Sequence, residues 1–232
     1  MRLAPPVVSL SSILLLAALA SSARAQSTSF NDVTFTDTDW TVTVEILNLG
    51  GTATGFQVAS GGNPLTFRRT ENTMNSAIGQ PFSNTVYAFH YRVGAMFSPA
   101  SNGPITSIDY TESTQRIAGG QQACGVAVRQ SGVIYYGPAF LDPVAFGTWV
   151  PNTQLSLTAT SFDALAPGVQ NPNFGVGAPP ILLGFFRANS TSVGGGGGTT
   201  AGGIDNWTVT VHFNGATPAL ASSWGRVKGL YR

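Results

Sequence analysis

Residues 202–213 read GGIDNWTVTVHF, and this stretch decides the fold class. After two glycines, the large apolar side chains of Trp207, Val209, Val211 and Phe213 alternate with four polar ones. A period of two in β-branched and aromatic residues is typical of a strand with one face in a core. Such a regular strand late in the chain needs partner strands from much earlier. We therefore interpret it as the closing strand of a β-sandwich.

The rest of the chain repeats this pattern. Residues 30–35 predict an opening strand, and residues 40–46 alternate again, which predicts that Trp40, Val42, Val44 and Ile46 face the core. About eleven such segments, separated by short turns and without an amphipathic helix, favour a sandwich or jelly roll. The predicted fold class is all-β, a two-sheet antiparallel β-sandwich of the jelly-roll type, in one domain over residues 26–215.

The clearest hairpin spans residues 123–137. Ser131-Gly132 supplies the positive φ angle that a tight two-residue turn requires. That turn pairs Val128 with Tyr135 and Ala127 with Tyr136. One face of the hairpin then carries apolar side chains only. The other face also carries a guanidinium, and its residues are Ala127, Arg129, Ile134 and Tyr136.

Both chain ends differ from this pattern. Residues 7–20 are almost unbroken apolar sequence, and small residues follow at 22–25, which predicts a signal peptide over residues 1–25 and a secreted or cell-surface protein. The alternative is a membrane anchor, but the apolar run is shorter than the roughly 20 residues of a spanning helix. No second apolar run of that length follows, so no transmembrane segment is predicted. Residues 216–232 form a short basic tail, either a docked or frayed end or an attachment signal.

Charge excludes some partners. Of 11 basic residues, Arg2 and Arg24 lie in the predicted signal peptide, which leaves nine against 10 acidic ones. Nucleic-acid binding needs a basic face, and none is predicted. The single cysteine, Cys124, cannot form an internal disulfide and is interpreted as a small buried apolar residue.

The sequence favours a protein without catalytic activity. Glycoside hydrolysis needs two carboxyl groups that flank one bond, and the closest pair, Asp109 and Glu112, falls on opposite faces of a predicted strand. His90 and His212 are not accompanied by a Gly-x-Ser-x-Gly motif or by a cluster of zinc ligands. A hydrolase that uses Asp109 and Glu112 in an unfamiliar way stays open as an alternative.

No cofactor is predicted, although one structural calcium ion is possible. Asp32 beside the opening strand and Asp205 at the start of the closing strand could meet and supply the oxygen ligands that calcium prefers. The alternative, which we favour, is that Asp205 and Asn206 stabilise a turn through side-chain to backbone hydrogen bonds.

A sugar-binding surface needs aromatic rings and planar polar groups. The candidate ligand-binding residues are Arg129 and Tyr136 on the hairpin, Trp149 after a glycine-flanked loop, and Arg68. An extracellular glycan or another cell-surface component is therefore the predicted partner.

Four short motifs carry a resemblance to a known family: FNDxTFx4W at 30–40, GGNP at 61–64, RQSG at 129–132 and GIDNW at 203–207. Together they are similar to concanavalin A-like (laminin G-like) domains of secreted bacterial proteins. The resemblance implies a two-sheet jelly roll that often binds glycans or surfaces. The glucanases of that superfamily carry a Glu-x-Asp-x-x-Glu motif, which is missing here. The predicted function is a secreted, non-catalytic module that binds carbohydrate or another extracellular surface; a structural or adhesive surface protein is the alternative.

Overall fold

A computed structural model describes residues 25–215 of this chain. The basic tail and all but the last residue of the signal peptide, both predicted above, lie outside the described residues. Two antiparallel sheets pack face to face, which confirms the all-β, two-sheet sandwich. The described α-helix, α1 (Pro99–Asn102), is one turn long, and no described helix has the length and apolar character needed to cross a membrane.

The front sheet contains the closing strand. Its order across the sheet is β10 (Val150–Leu157), β6 (Ile105–Ala118), β13 (Gly198–Asn214), β4 (Leu65–Met74) and β3 (Gly51–Gly62), with β1 (Ala25–Asp32) also paired to β13.

The back sheet contains the predicted hairpin. Its order is β11 (Asp163–Ala164), β8 (Val133–Tyr136), β7 (Ala123–Gln130), β12 (Ile181–Thr191), β5 (Asn84–Phe97) and β2 (Trp40–Leu47), with β9 (Phe140–Leu141) also paired to β7.

Strand β13 connects the two ends of the domain, as its alternation predicts. It pairs with β6 on one side, and on the other it pairs first with β4 and then with β1. The register shifts between Asp205 and Thr208, where Asn206 has a φ of 51°, and this bulge separates the β4-paired part from the β1-paired part. Trp207 and Val209 beyond the bulge are fully buried, so the predicted core face is confirmed.

Two other strand predictions have different outcomes. The hairpin is confirmed, because Ala127 pairs with Tyr136 around a Ser131 with positive φ. The prediction for residues 40–46 is wrong in part: Trp40 is buried, but Ile46 is 38% exposed. The reason is that β2 is an edge strand with one neighbour, so side chains along it stay partly accessible.

One part of the interior, the apolar half, consists of aromatic and aliphatic side chains. The Trp40 ring meets Phe185 and Trp207 edge-on, with centroids 5.2 and 5.1 Å away. Phe97 and Phe213 pack against each other at 4.9 Å across the two sheets. This half is stabilised by burial of apolar surface and by favourable ring geometry.

The other part, the polar half, consists of buried hydrogen-bonding side chains: Thr70, Asn72, Glu112, Gln122, Arg187, Asn189 and Thr200. Arg187 Nη2 lies 3.1 Å from each carboxylate oxygen of Glu112. Asn189 Oδ1 accepts hydrogen bonds from Thr200 at 2.7 Å and Asn72 at 3.1 Å, so side chains of both sheets join one network. Buried polar groups need such partners to offset their desolvation.

Candidate ligand-binding face

The structure does not bring the four predicted ligand-binding residues together. Arg129 and Tyr136 share the outer face of the back sheet, and both are partly exposed. Trp149 is partly exposed on the outer side of the front sheet, where its ring contacts Phe67. Arg68 lies between the sheets.

The location of Arg68 corrects its assignment to a ligand site. Its side chain is 1% exposed, and its guanidinium donates hydrogen bonds to Asp37 at 3.0 Å and to the Gly55 carbonyl at 2.7 Å. It also lies 5.8 Å from the Trp40 ring centroid. Alternation along β4 turns this position inward, so Arg68 stabilises the sandwich and has no surface to offer a ligand.

Four aromatic side chains form an aromatic groove on the outer face of the back sheet: Tyr87, Phe89, Tyr136 and Phe186. Tyr87 stacks on Phe89 with centroids 5.9 Å apart, and Tyr136 meets Phe186 edge-on at 5.7 Å. Tyr87 and Tyr136 are 6.0 Å apart. Because Phe89 and Phe186 are buried while the two tyrosines are partly exposed, the phenylalanines form the floor and the tyrosines the accessible rings.

Small residues on the neighbouring strands make room for these rings. Phe186 pairs with Gly125, and a Cβ at Gly125 would lie 2.7 Å from Phe186 Cε1. Tyr87 pairs with Ala188, which in turn pairs with Ala123. Side chains on one face of neighbouring strands are about 5 Å apart, so a small side chain leaves space that an adjacent aromatic ring can occupy. The groove therefore depends on residues from four strands, β5, β7, β8 and β12.

A cleft of 280 Å³ adjoins the groove and combines ring surface with polar groups. Tyr87, Tyr136 and Phe186 supply the apolar wall, and Gln121 and Ser190 supply amide and hydroxyl groups. A pocket with apolar walls and a few placed polar groups is typical of a ligand site.

A second cleft of 350 Å³ opens on the other side of the groove, lined by Glu45, Ile134 and Leu165 among others. Glu45 on β2 pairs with Tyr87 on β5. Ile134 lies two residues before Tyr136 on β8, so the two side chains share one face. The two clefts therefore flank the aromatic groove and extend it into an elongated surface.

Two ionisable side chains of this face keep hydrogen-bonding capacity. The Arg129 guanidinium lies 4.9 Å from the ring centroid of buried Tyr91 and forms no ion pair within residues 25–215. Burial, with the nearby Tyr87 and Asp163, raises the pKa of Tyr136, so its hydroxyl is protonated and can donate a hydrogen bond.

Asp32, one predicted calcium ligand, is occupied by protein donors. Its carboxylate accepts hydrogen bonds from the backbone N–H of Thr34 at 2.8 Å and of Phe35 at 2.9 Å, and from Trp40 Nε1 at 2.9 Å. Arg92 Nε lies 3.1 Å from the same group. Burial alone would raise the pKa of Asp32, but these hydrogen bonds lower it below its ordinary value.

Asp205, the other predicted ligand, also accepts protein hydrogen bonds, from the backbone N–H of Asn206 at 2.7 Å and of Asn63 at 2.5 Å. This is the turn-stabilising role named above as the alternative. The described part of the chain contains no group of three or more His, Cys, Asp or Glu side chains arranged for a metal ion. Calcium stays a prediction.

The alternative catalytic pair is separated by the sheet. Glu112 is buried between the sheets against Arg187, and burial raises its pKa while Arg187 and Tyr110 act in the opposite direction. Asp109 faces outward, and its Oδ2 lies 2.7 Å from Nε2 of His212. Two carboxyl groups on opposite faces of β6 cannot flank one glycosidic bond.

Sequence reasoning missed Tyr87 and Phe186 as site residues. The alternation Tyr87, Phe89, Tyr91 along β5 carried a signal, because three consecutive positions on one face of that strand are aromatic. Residues 182–186 are continuously apolar apart from Gly184, so alternation could not assign Phe186 to the outer face.

No family model and no curated protein matches this chain. Among solved structures, it is similar to the family 11 carbohydrate-binding module from Clostridium thermocellum in complex with a β-1,3-1,4-mixed-linked tetrasaccharide, at 10% identity and a TM-score of 0.45, over 78% of this chain and 94% of that chain. It is also similar to the CBM22-1 xylan-binding domain from Paenibacillus barcinonensis, at 12% identity and a TM-score of 0.35, over 83% of this chain and 95% of that one. At these values the matches carry no conclusion about ligand or site residues.

Proposed function

We propose that this protein is a non-catalytic carbohydrate-binding module that acts outside the cell or at its surface. The observation that carries the proposal is the aromatic groove, where two accessible tyrosine rings lie between two clefts that contain polar groups. The predicted signal peptide supports the location. The finer assignment to the concanavalin A-like group stays a prediction.

The groove suits a sugar chain better than a single sugar. Pyranose rings present C–H faces that pack on aromatic rings, and their hydroxyl groups need donors and acceptors at the edges. Tyr87 and Tyr136 supply the ring faces, while Gln121, Ser190 and Glu45 supply polar groups in the flanking clefts. Since the groove continues into a cleft on either side, consecutive residues of an oligosaccharide can occupy it.

A glycan array followed by titration calorimetry tests this proposal with the mature protein, residues 26–232. We expect binding to an oligosaccharide. Tyr136→Ala should weaken it about 5- to 30-fold, because about 1–2 kcal/mol of stacking and burial is lost.

Phe82→Ala is the matched control, since Phe82 is an exposed aromatic residue that lines neither cleft of the groove. It should leave affinity unchanged. A blank array, or glycan binding that is equally strong in Tyr136→Ala, would overturn the proposal.

An adhesive surface protein without a small ligand is the second candidate. It is favoured by three exposed apolar side chains, Leu141 at the end of β9 and Val144 and Phe146 in the loop that follows. A blank array together with retained association with cell surfaces, lost in a Leu141→Ser/Val144→Ser variant, would support this candidate.

A further inference from the structure

The outer face of the front sheet carries another open cleft, of 540 Å³, on the opposite side of the sandwich from the aromatic groove. Phe67 and Arg69 on β4 and Gln115 on β6 lie on its floor, and Phe146 from the loop before β10 lines it as well. Trp149 adjoins it, because its ring contacts Phe67 at a centroid distance of 5.4 Å. We call this surface the Trp149 cleft.

The Trp149 indole is held in one position. Its Nε1 donates a hydrogen bond to the Gly61 carbonyl at 2.9 Å. Gly203 lies beneath the ring, and a Cβ at that position would be 2.9 Å from Trp149 Cη2. The turn that contains Gly61 is itself tied to β13, because Asp205 accepts a hydrogen bond from the Asn63 N–H. A ring fixed before binding loses little conformational entropy when a ligand stacks on it.

Phe146 supplies a second aromatic platform on the same cleft. The Arg116 guanidinium lies 4.3 Å from its ring centroid and donates hydrogen bonds to the carbonyls of Gly119 at 2.9 Å and Val144 at 3.1 Å. These bonds hold the loop around residue 144, while the Phe146 side chain stays 58% exposed. Such an exposed and positioned ring is suited to stacking on a sugar.

The charges at this cleft favour an anion. Arg69 lines it, and Glu71 engages Nε and Nη2 of Arg69 at 2.7 Å each, which leaves Nη1 without a hydrogen bond to any residue from 25 to 215. Arg116 does not line the cleft and is bonded to backbone carbonyls, but it adds a positive charge behind Phe146, whereas the Asp205 carboxylate is buried under the turn. Arginine is well suited to pair with a carboxylate.

We propose that the Trp149 cleft is a second glycan site and that it binds sugars carrying a carboxylate, such as uronate-containing chains. The rings hold the sugar, and Arg69 Nη1 donates to the carboxylate. Together with the aromatic groove, the cleft makes a two-faced module that can bridge two polysaccharide chains. Only this bridging rests on the proposed function of the groove.

Titration calorimetry with an oligogalacturonate and with a neutral oligosaccharide of equal length tests the cleft on the mature protein. We expect the acidic ligand to bind. Phe146→Ala and Arg69→Gln should each weaken its affinity about tenfold or more, which is the scale of one lost stacking or charged contact. Raising NaCl to about 0.5 M should weaken it as well.

Val144→Ala is the matched control, because Val144 is 73% exposed in the same loop and does not line the cleft. It should change nothing. Three results would each overturn the acidic-glycan site. The first is that oligogalacturonate does not bind, and the second is that Phe146→Ala and Arg69→Gln leave its affinity unchanged. The third is that the neutral oligosaccharide binds equally well at this cleft. Thermal unfolding of each variant shows that a lost affinity is not a lost fold.

Tyr136→Ala separates this proposal from the function of the groove. If the cleft is a separate site, Tyr136→Ala leaves oligogalacturonate affinity unchanged even when the groove binds no glycan. Loss of that affinity in Tyr136→Ala would assign the acidic ligand to the groove and overturn the second site. If the protein bridges two chains, the wild type should precipitate a long polysaccharide that carries both sugar types. Either Tyr136→Ala or Phe146→Ala should abolish this precipitation. Precipitation that persists in both variants would overturn the bridging proposal.

Discussion

The apolar half and the polar half of the interior lie between the same two sheets but are stabilised differently. In the apolar half, Trp40, Phe185 and Trp207 form a cluster of rings that meet edge-on, and the buried Asp32 carboxylate accepts a hydrogen bond from Trp40 Nε1. In the polar half, the Arg187–Glu112 ion pair is fully buried. Apolar packing tolerates small adjustments, whereas a buried ion pair requires both partners in place.

The polar half also lies beneath the proposed glycan site. Asn189 lines the 280 Å³ cleft and accepts hydrogen bonds from Gln122, which directly precedes β7, and from Asn72 on β4. Directional bonds between these strands limit how they can slide past one another. Apolar burial is the larger source of stability in such a fold, and the polar network fixes the strands that carry the aromatic groove.

The largest expected effect is the removal of one partner of the buried ion pair. Arg187→Met leaves the Glu112 carboxylate buried without its cation, and we expect a loss of about 3–5 kcal/mol in the free energy of unfolding. Urea denaturation measures it. The double variant Arg187→Met/Glu112→Met should recover part of that loss, because no charge is then buried. A double variant that is less stable than Arg187→Met alone would contradict this account.

A cavity in the apolar half should have a similar or slightly smaller effect. Leu183→Ala should lower the free energy of unfolding by about 2–5 kcal/mol, because Leu183 is fully buried. Leu182→Ala is the control on the outer face, where the side chain is partly exposed, and it should have less effect. Positions 183 and 187 are about 13 Å apart along β12. The effects of Leu183→Ala and Arg187→Met should therefore add; strong non-additivity would show that the two halves are not independent.

The smallest expected loss of stability is for Asp32, whose carboxylate accepts a hydrogen bond from Trp40 in the apolar half. At pH 7, Asp32→Asn should lower the free energy of unfolding by about 1.5–3 kcal/mol, the range for hydrogen bonds to a charged group. Since folding lowers the pKa of Asp32 from its ordinary 3.8, its contribution is complete above that value and is lost as the pH falls through the folded-state pKa. Denaturation curves between pH 2 and 7 measure this, and the gap between wild type and Asp32→Asn should narrow below about pH 4. A gap that does not change with pH would show that the charge of Asp32 is unimportant.

Strand positions were more predictable than the environment of individual side chains. The alternation through Trp207 and Val209 depends on neighbouring residues in the chain, and it identified the buried face correctly. Phe67 and Arg68 are adjacent and both large, so their pattern could not show which one faces inward. Arg68 turns inward because Asp37 and the Gly55 carbonyl receive its hydrogen bonds, and Phe67 is buried on the outside by Trp149.

By itself, the sequence determined that this chain forms β-strands, where the Ser131-Gly132 hairpin turns, and which face of the closing strand is apolar. These features follow from backbone geometry and side-chain spacing over a few residues. Only the tertiary structure decided that Tyr87, Tyr136 and Phe186 form one groove while Trp149 lies on the opposite side. Their grouping depends on the order of strands within each sheet, and that order is set by pairing between segments far apart in the chain.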